Sequence, residues 1–450
     1  MSFHKRFQTS LESLTTLSDG IKYVIAYSGG VDSLVLLHCF KQTGLDVRAV
    51  HIHHGLQDDA DDWVTHCQST CKQLDVLLDV FYVDAKQKPG TSPEESARNA
   101  RYQALQNNLK TGEYLVTAQH LNDQAETLLL QLFRTASSAG LSAMPALRQF
   151  GKNVHIRPLL PFSRREIEDY AKENDLCWIE DPSNQDIAYD RNYLRKKIVP
   201  LLEARWPELT KQLSTVASLQ SNNLQVLEDM AAIDLANALT TQKEPFRYYV
   251  HEIVSIVSLA RLKQLSPPRL LNLLRYWIIV SLEKQPTRNL LEEIEKSLIN
   301  AQQDAKAEIV FSGYAFRRFQ DNLYLLKIND GLKVQDDLDW NPSTPLTLPD
   351  LNIQLKSITS VSGGLTKNLL DESLKIRFRK GGEKFHPSGR RHSQSLKKLL
   401  QEANIPPWER DVIPLVYFGD ELIAVAGLWV SKSFSVGEGE SGWVVGVEAV

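Results

Sequence analysis

The chain has 450 residues, of which 42% are hydrophobic and 24% are charged. This length exceeds what one hydrophobic core usually supports, so we expect two or three domains. The formal net charge of −4 excludes a uniformly basic nucleic-acid-binding protein but leaves room for local basic patches.

The cysteines and the apolar segments indicate the cellular compartment of the protein. Cys39, Cys67, Cys71 and Cys177 are scattered and form no C-x-x-C pair, which is typical of reduced thiols in the cytoplasm. The first residues lack the apolar core of a secretory signal, and the apolar stretch 276–282 is too short to span a membrane. We therefore expect a cytoplasmic protein with no membrane partner.

In the first third of the chain, strand-like runs alternate with amphipathic helical stretches. The predicted strands are residues 23–27, 47–52, 77–83 and 114–118. Such alternation predicts an α/β domain with a parallel sheet covered by helices on both faces. Ligands of such sheets bind at the carboxyl ends of the strands, and most of the motifs below follow a strand.

A glycine-rich turn follows the first predicted strand. Its residues are Ser28, Gly29, Gly30, Val31, Asp32 and Ser33. Glycines let the backbone approach a ligand, and the predicted helix start offers free amides and a positive dipole end, so we expect an anion site. A carboxylate would repel a bound phosphate unless a cation lay between them, so Asp32 predicts a nearby Mg²⁺. An ordinary turn with capping serines is the alternative.

Two histidines follow the second predicted strand. Alternation places His51 and His53 on the same side of that strand. A zinc site would need cysteines or spaced carboxylates alongside, and none are present in this stretch. We therefore interpret His53 as part of the wall of an adenosine pocket.

Arg98 and Arg101 lie three residues apart on a predicted helix, which begins with Ser92 as its cap, and so share a face. They could hold phosphates or pair with Glu94 and Glu95 on the same helix. The sequence leaves both readings open.

Asp123 and Glu126 lie three residues apart at the predicted helix start after the fourth strand. The helix dipole alone favours carboxylates there, which is the structural alternative. Two acids beyond a phosphate site also suit a bound cation or amine, and we favour this interpretation.

Further along, Ser163 and Glu166 form the pattern of a capping box at a helix start. Arg191 and Arg195 lie four residues apart on one face of a later helix, beside Tyr193. This face suits a phosphate backbone, although a plain basic helix face is the alternative.

Taken together, these motifs resemble bacterial tRNA(Ile)-lysidine synthetases of the ATP-pyrophosphatase, or PP-loop, superfamily. The matching segments are residues 28–33, 53–55, 97–102, 123–127, 157–160 and 181–184, with Arg191 and Asn192. Each is weak alone, but six in order at compatible spacing are specific. The family usually has His-His-x-Asp-Asp-Gln where this chain has Gln119-His-Leu-Asn-Asp-Gln124, so Gln119 and Asn122 are not expected to be catalytic.

The resemblance implies an adenine-nucleotide α-hydrolase-like domain and a carbon–nitrogen ligase. The cytosine 2-oxygen of the wobble cytidine, in tRNA(Ile) with a CAU anticodon, attacks the α-phosphate of ATP, and the ε-amine of L-lysine then displaces AMP. Implied catalytic residues are Asp32, Arg98, Asp123 and Glu126, with Mg²⁺ at Asp32. Implied ATP-binding residues are Ser28, Gly29, Gly30, Val31, Asp32, Ser33 and His53. Implied tRNA-binding residues are Arg101, Arg191 and Arg195.

The remaining chain predicts two more domains after a catalytic domain of residues 1–215. A long helical stretch, 206–239, leads into a mostly helical middle domain of residues 216–340, with strands near 307–311 and 323–326. A proline-rich linker precedes a small α+β domain of residues 350–450.

Residues 375–398 of that last domain carry nine lysines and arginines against one glutamate. A solvated charged face normally mixes both signs, so we interpret this segment as a tRNA-binding surface. Its candidate residues are Arg377, Arg379, Lys380 and Lys397.

Three other functions compete with this interpretation. Thiolation enzymes of tRNA generally need cysteine pairs, and glutamine amidotransferases need a glutaminase nucleophile that is not seen here. A non-catalytic tRNA-binding protein with a nucleotide switch site is the alternative from another class. The oligomeric state is left open, with a homodimer as one possibility.

Overall fold

The computed structural model describes residues 1–15, 20–53, 60–83, 93–134, 137–240, 252–301, 308–328, 337–437 and 439–449. The chain divides into two compact units, Met1–Val226 and Leu227–Val450. The predicted boundaries near residues 215, 340 and 350 stay predictions. None of the helices in the described part of the chain combines the length and the apolar character needed to cross a bilayer.

A six-stranded sheet forms the centre of the first unit, in the order β3-β2-β1-β4-β6-β5. Its strands are β1 Lys22–Ala26, β2 Val47–His53, β3 Leu77–Tyr82, β4 Glu113–Val116, β5 Leu147–Phe150 and β6 Asn153–Ile156. All pairings are parallel except the β5–β6 hairpin, which the sequence did not predict. The four predicted strands and the α/β class are confirmed.

Helices and short turns complete the first unit. The helices are α1 Phe3–Leu14, α2 Val31–Thr43, α3 Ala60–Gln73, α4 Pro93–Asn108, α5 Leu121–Phe133, α6 Ser138–Leu141, α7 Arg164–Glu173, α8 Asp190–Tyr193 and α9 Val199–Glu203. Helix α2 ends at Gly44, which adopts φ 74° as a left-handed cap. Helix α7 begins with the predicted capping box, in which Ser163 and Glu166 satisfy each other's backbone amides.

The strand order places a switch point between β1 and β4. From β1 the chain proceeds to β2 and β3 on one side, whereas β4 and β6 lie on the other. In open parallel sheets the crevice at such a point is where ligands bind. The turn 28–33 follows β1 and residues 117–120 follow β4, so both flank this crevice.

Helix α10, Leu209–Ala238, leads into the second unit, whose first part is a helical layer on a four-stranded antiparallel sheet. Its elements are β7 Ile253–Ser258, α11 Leu259–Leu262, α12 Pro267–Leu282, α13 Arg288–Ile294, β8 Glu308–Phe311, β9 Tyr314–Phe319 and β10 Asn322–Lys327. Trp277 and Phe316 are fully buried between the layers. Strands β7 and β9 were not predicted.

The second part of this unit is the small α+β domain that the sequence predicted. Its elements are β11 Leu338–Trp340, β12 Leu346–Leu348, β13 Ile353–Ser360, β14 Leu374–Arg377, β15 Lys384–Phe385, β16 Gln394–Ser395, α14 Leu396–Glu402, β17 Leu415–Phe418, β18 Glu421–Val425, β19 Trp429–Val430 and β20 Gly442–Ala449. They form sheets in the orders β11-β14-β17-β18-β19 and β12-β13-β20, with β15 and β16 as a separate pair.

Candidate active site

The turn after β1 has the backbone shape of an anion cradle. Gly29 adopts φ 88°, and a Cβ there would lie 3.1 Å from the Sγ of Cys67, so only glycine fits without displacement. Gly30 caps α2 without a side-chain hydrogen bond. Within the described structure, the first amides of α2 therefore have no side-chain cap, as a helix start that binds an anion requires.

Two serine hydroxyls brace this turn. Ser33 donates its hydroxyl to the carbonyl of Gly30 over 3.0 Å and accepts the Ser28 amide over 3.2 Å. The hydroxyls of Ser28 and Ser33 are 3.1 Å apart. Ser33 is buried whereas Ser28 is exposed, so Ser33 fixes the turn and Ser28 is accessible to a ligand.

Asp32, in the first turn of α2, has one engaged and one unsatisfied carboxylate oxygen. Oδ2 accepts a hydrogen bond from Nη1 of Arg164 over 2.5 Å. Oδ1 is buried and has no hydrogen-bond partner among the described residues, with Nε2 of His120 3.7 Å away. Burial raises the pKa of Asp32, and His120 and Arg164 oppose that rise. A carboxylate whose one oxygen is buried and unsatisfied fits a bound cation.

Asp123 and Glu126 lie on the first turns of α5 and are linked by one arginine. Arg195 donates to Oδ1 of Asp123 over 2.9 Å and to both oxygens of Glu126, over 2.7 and 2.9 Å. Nε of Arg191 lies 3.4 Å from Glu126. The structure thus joins the carboxylate pair of α5 to the arginine pair 191 and 195, which the sequence could place only as two separate pairs.

The two carboxyl groups respond to burial differently. Burial raises the pKa of Glu126, which is only 2% exposed, and Arg195 does not fully offset that rise. Burial acts in the same direction on Asp123, but His120, Arg191 and Arg195 together hold its pKa below the ordinary value. One carboxyl is therefore disposed to take up a proton while its neighbour stays ionised.

A group of arginines surrounds Tyr102, which packs beside His155 of β6. This arginine cluster consists of Arg98, Arg101, Arg148 and Arg157. The guanidinium groups of Arg98, Arg101 and Arg148 lie 5.2, 5.7 and 5.6 Å from the Tyr102 ring. The side chain of Arg157 donates to neutral acceptors, namely Gln119, the Pro145 carbonyl and His155.

The arginine cluster shifts the pKa values of the groups around it. Burial would raise the pKa of Tyr102, but the four arginines lower it. Burial and neighbouring arginines lower the pKa of His155 to about 2, and burial lowers that of Arg157 to about 10. Arg157 is 2% exposed and has no carboxylate partner among the described residues. Because a buried charge normally has a counterion, this cluster suits an anionic group of a ligand.

The two histidines of β2 have partners other than Asp32, Asp123 and Glu126. His51 is buried and contacts the Tyr27 carbonyl at 2.9 Å. His53 packs its ring against Tyr82 at 4.7 Å, and its Nε2 lies 3.2 Å from Asp61. In the part of the chain that the structure describes, no group of three or more His, Cys, Asp or Glu side chains could hold a metal ion by itself.

Some predicted contacts fall outside the described part of the chain. These concern residues 54 and 55 of the histidine motif, the cap Ser92, and the side chains of Glu94 and Glu95. Both readings of Arg98 and Arg101 therefore stay predictions.

The structure adds two residues that the sequence did not single out. His120 caps α5 by accepting the Asn122 amide at Nδ1, which directs Nε2 to within 3.7 Å of Asp32 and 3.5 Å of Asp123. Its position directly after β4 was an available signal. Arg164 lies 132 residues from Asp32, and nothing local to it indicated this pairing.

The two departures from the family motif make structural contacts. Gln119 accepts from Nε of Arg157 over 3.2 Å, and Asn122 accepts the backbone amide of Arg164 over 3.0 Å. Neither side chain contacts Asp32, Asp123 or Glu126 by a hydrogen bond in the described structure. The expectation that neither is catalytic stays a prediction.

The basic segment of the small α+β domain has acidic partners distant in sequence. Arg377 lies 2.5 Å from Asp337 and 3.6 Å from Asp420, and Arg379 lies 2.7 Å from Asp411. Counting charges within residues 375–398 therefore overstated their potential. Exposed cations of the segment without a salt bridge among the described residues are Lys384, Arg391, Lys397 and Lys398.

Comparisons with known families agree with this architecture. Residues 3–202 match the model of the PP-loop domain, residues 258–324 that of the TilS substrate binding domain, and residues 374–447 that of the TilS substrate C-terminal domain.

Curated relatives align over nearly the whole chain. A tRNA(Ile)-lysidine synthase from Coxiella burnetii is 38% identical over 97% of this chain and 96% of its own length. Relatives of the same name are 39% identical in Methylococcus capsulatus, over 95% of this chain and 96% of that protein, and in Pectobacterium atrosepticum, over 96% of each.

Proposed function

The chain belongs to the tRNA(Ile)-lysidine synthase family, and from this premise we propose how its residues divide the work. The enzyme is an ATP-dependent ligase acting on the wobble cytidine of tRNA(Ile). The observation that carries the assignment of residues is the position of His120 between Asp32 and Asp123 at the switch point between β1 and β4. Arg195 joins Asp123 to Glu126 at the same place.

The turn 28–33 binds the phosphates of ATP in this proposal. Its support is the unblocked start of α2 and the glycine at position 29, which keep amides accessible to an anion. Asp32 would hold Mg²⁺ through its unsatisfied Oδ1. A magnesium ion bound mainly by phosphates and water needs only one or two carboxylates, which fits the residues present. When bound, the ion supplies positive charge that neutralises the departing pyrophosphate.

L-Lysine is the second substrate, and its two ends have different partners in this proposal. Asp123 and Glu126 would bind the ammonium group, and the arginine cluster would bind the carboxylate. The amine must lose a proton before it can attack the activated carbon. We assign Glu126 to accept that proton, because burial raises its pKa. The neutral nitrogen then forms a bond to carbon 2 of the base, and the bond from that carbon to the AMP oxygen breaks.

Arg191 and Arg195 have a supporting role in this proposal. Both form salt bridges with carboxylates of α5, so they hold Asp123 and Glu126 in place. Arg195 is about one-third exposed, which leaves part of its guanidinium accessible to the adenylated base or to an RNA phosphate.

The small α+β domain supplies a cationic surface for the tRNA. Its unpaired lysines, including Lys397, would contact phosphates directly. Arg377, Arg379 and Lys380 lie beside acidic residues, so their contribution depends on exchanging those partners for RNA. The cytoplasm is the proposed compartment, since the four cysteines are all free thiols.

Pyrophosphate release tests this function against a non-catalytic tRNA-binding protein. The enzyme is incubated with ATP, magnesium and an unmodified tRNA(Ile) transcript, with and without lysine. We expect sustained pyrophosphate release only when both the transcript and lysine are present. A protein that binds ATP and the transcript but releases no pyrophosphate would contradict the proposal.

A further inference from the structure

We infer that Arg164 is a positioning residue that orients Asp32 toward the metal. This inference rests on the proposed magnesium role of Asp32. Arg164 engages Oδ2 over 2.5 Å and leaves Oδ1 buried and unsatisfied. The carboxylate is thereby held with one particular oxygen available.

Arg164 is itself held from several directions. Its backbone amide donates to Asn122 over 3.0 Å, and its Nε donates to Glu168 over 2.7 Å. It is the first residue of α7, directly after the capping box of Ser163. The position of the Arg164 guanidinium is therefore fixed, because its Nε donates to Glu168 and its Nη1 donates to Asp32.

This arrangement suits a small divalent cation. Asp32 is about one-quarter exposed, and a carboxylate free to rotate could offer either oxygen or both. Magnesium favours single oxygens at short distances in an octahedral arrangement. Fixing Oδ2 on a guanidinium removes the two-oxygen mode, and groups that orient a metal ligand in this way commonly contribute to affinity.

The chain offers a matched set of variants. Arg165 follows Arg164 but is 91% exposed, and its one salt bridge within the described residues is to Asp169. Arg165→Gln therefore removes the same charge from the same helix turn. Glu168→Gln weakens the support of Arg164 without touching Asp32. Arg164→Lys keeps the charge but loses the planar fork that reaches two carboxylates at once.

Calorimetric titration of the full-length protein with ATP, in magnesium and in EDTA, tests the inference. Arg164→Gln should reduce the magnesium-dependent gain in ATP affinity about tenfold and leave affinity in EDTA unchanged. Arg164→Lys should keep part of the magnesium-dependent gain in ATP affinity, and Glu168→Gln should lose less of this gain than Arg164→Gln does. Arg165→Gln should match the wild type. Thermal unfolding of each variant checks that it is folded.

Three results would overturn the inference. An unchanged magnesium-dependent gain in Arg164→Gln would remove any positioning role. An equal loss in magnesium and in EDTA would show that Arg164 contacts the phosphates themselves. A wild-type protein that binds ATP equally well in both conditions would overturn the magnesium assignment of Asp32, and the inference with it.

Discussion

Two groups of charged side chains lie at opposite ends of the sheet in the first unit. They differ in how many of their carboxylate oxygens have hydrogen-bond partners. At the amino-terminal end, Arg48 donates to Glu113 over 3.0 and 2.6 Å and to Asp79 over 2.7 Å. Glu113 also accepts the Lys110 amide over 2.7 Å. At the carboxyl end, Asp32 keeps a buried oxygen that no hydrogen-bond donor in the described part of the chain reaches.

The pKa values of the two groups differ accordingly. Burial would raise the pKa of Glu113, but its bonds to Arg48 and Lys110 bring it below the ordinary value of 4.5. Burial raises the pKa of Asp32 and Glu126 despite their arginine partners. The first group is a completed structural network, and the second retains capacity for a ligand or a proton.

The largest effect that we expect is on catalysis, from Glu126→Gln. The amide has the same shape but cannot accept the proton of the lysine amine, so lysidine formation should fall about 100-fold or more. Single-turnover assays with saturating lysine measure the loss. Activity close to that of the wild type would show that Glu126 is not the proton acceptor.

Glu113→Gln should reduce stability and leave catalysis unchanged, in contrast to Glu126→Gln. It removes charge-assisted bonds in a filled network, so the free energy of unfolding should fall by about 2 kcal/mol. Urea denaturation measures this change, and activity per folded molecule should be unchanged. A loss of activity at unchanged stability would erase the distinction between the two groups.

Asp123→Asn should weaken lysine binding about tenfold, which corresponds to ~1.4 kcal/mol. The physical reason is the loss of a carboxylate that is ionised beside the proposed ammonium site. Equilibrium dialysis with labelled lysine measures the affinity, and ATP affinity is the control. Normal lysine affinity in this variant would remove Asp123 from the lysine site.

Cation removal in the small α+β domain separates RNA binding from nucleotide binding. Lys397→Ala should reduce the salt dependence of tRNA affinity by about one unit of slope. Joint replacement of Arg377, Arg379 and Lys380 by alanine should weaken tRNA binding and flatten its salt dependence further, while ATP binding stays intact. Filter binding over a range of salt concentrations measures both effects, and lost ATP binding would refute this division of labour.

The smallest effect concerns pH. The folded-state pKa of Glu113 lies below 4.5, so its contribution to stability is complete above that value and is lost as pH falls through the lower folded pKa. As the pH falls from about 5 to the acid limit of folding, the Glu113→Gln variant should therefore lose less stability than the wild type. Parallel acid dependences would contradict the assignment.

The sequence predicted local features and missed the pairing of distant residues. The turn 28–33 and the capping box at Ser163 depend on neighbouring residues, so their patterns were visible. The contact of Arg164 with Asp32 spans 132 positions and needs the folded sheet. The acidic partners Asp337 and Asp411 were missed for the same reason, because the charge count considered one segment alone.

Mass analysis of the wobble nucleoside tests the central claim most directly. An unmodified tRNA(Ile) transcript is incubated with ATP, magnesium and lysine, digested to nucleosides, and compared between the wild type and Glu126→Gln. We predict that the wild type increases the mass of one cytidine by that of lysine less one water, and that the variant yields little of this product. A cytidine of unchanged mass, under conditions where ATP and the transcript both bind to the wild type, would contradict the account.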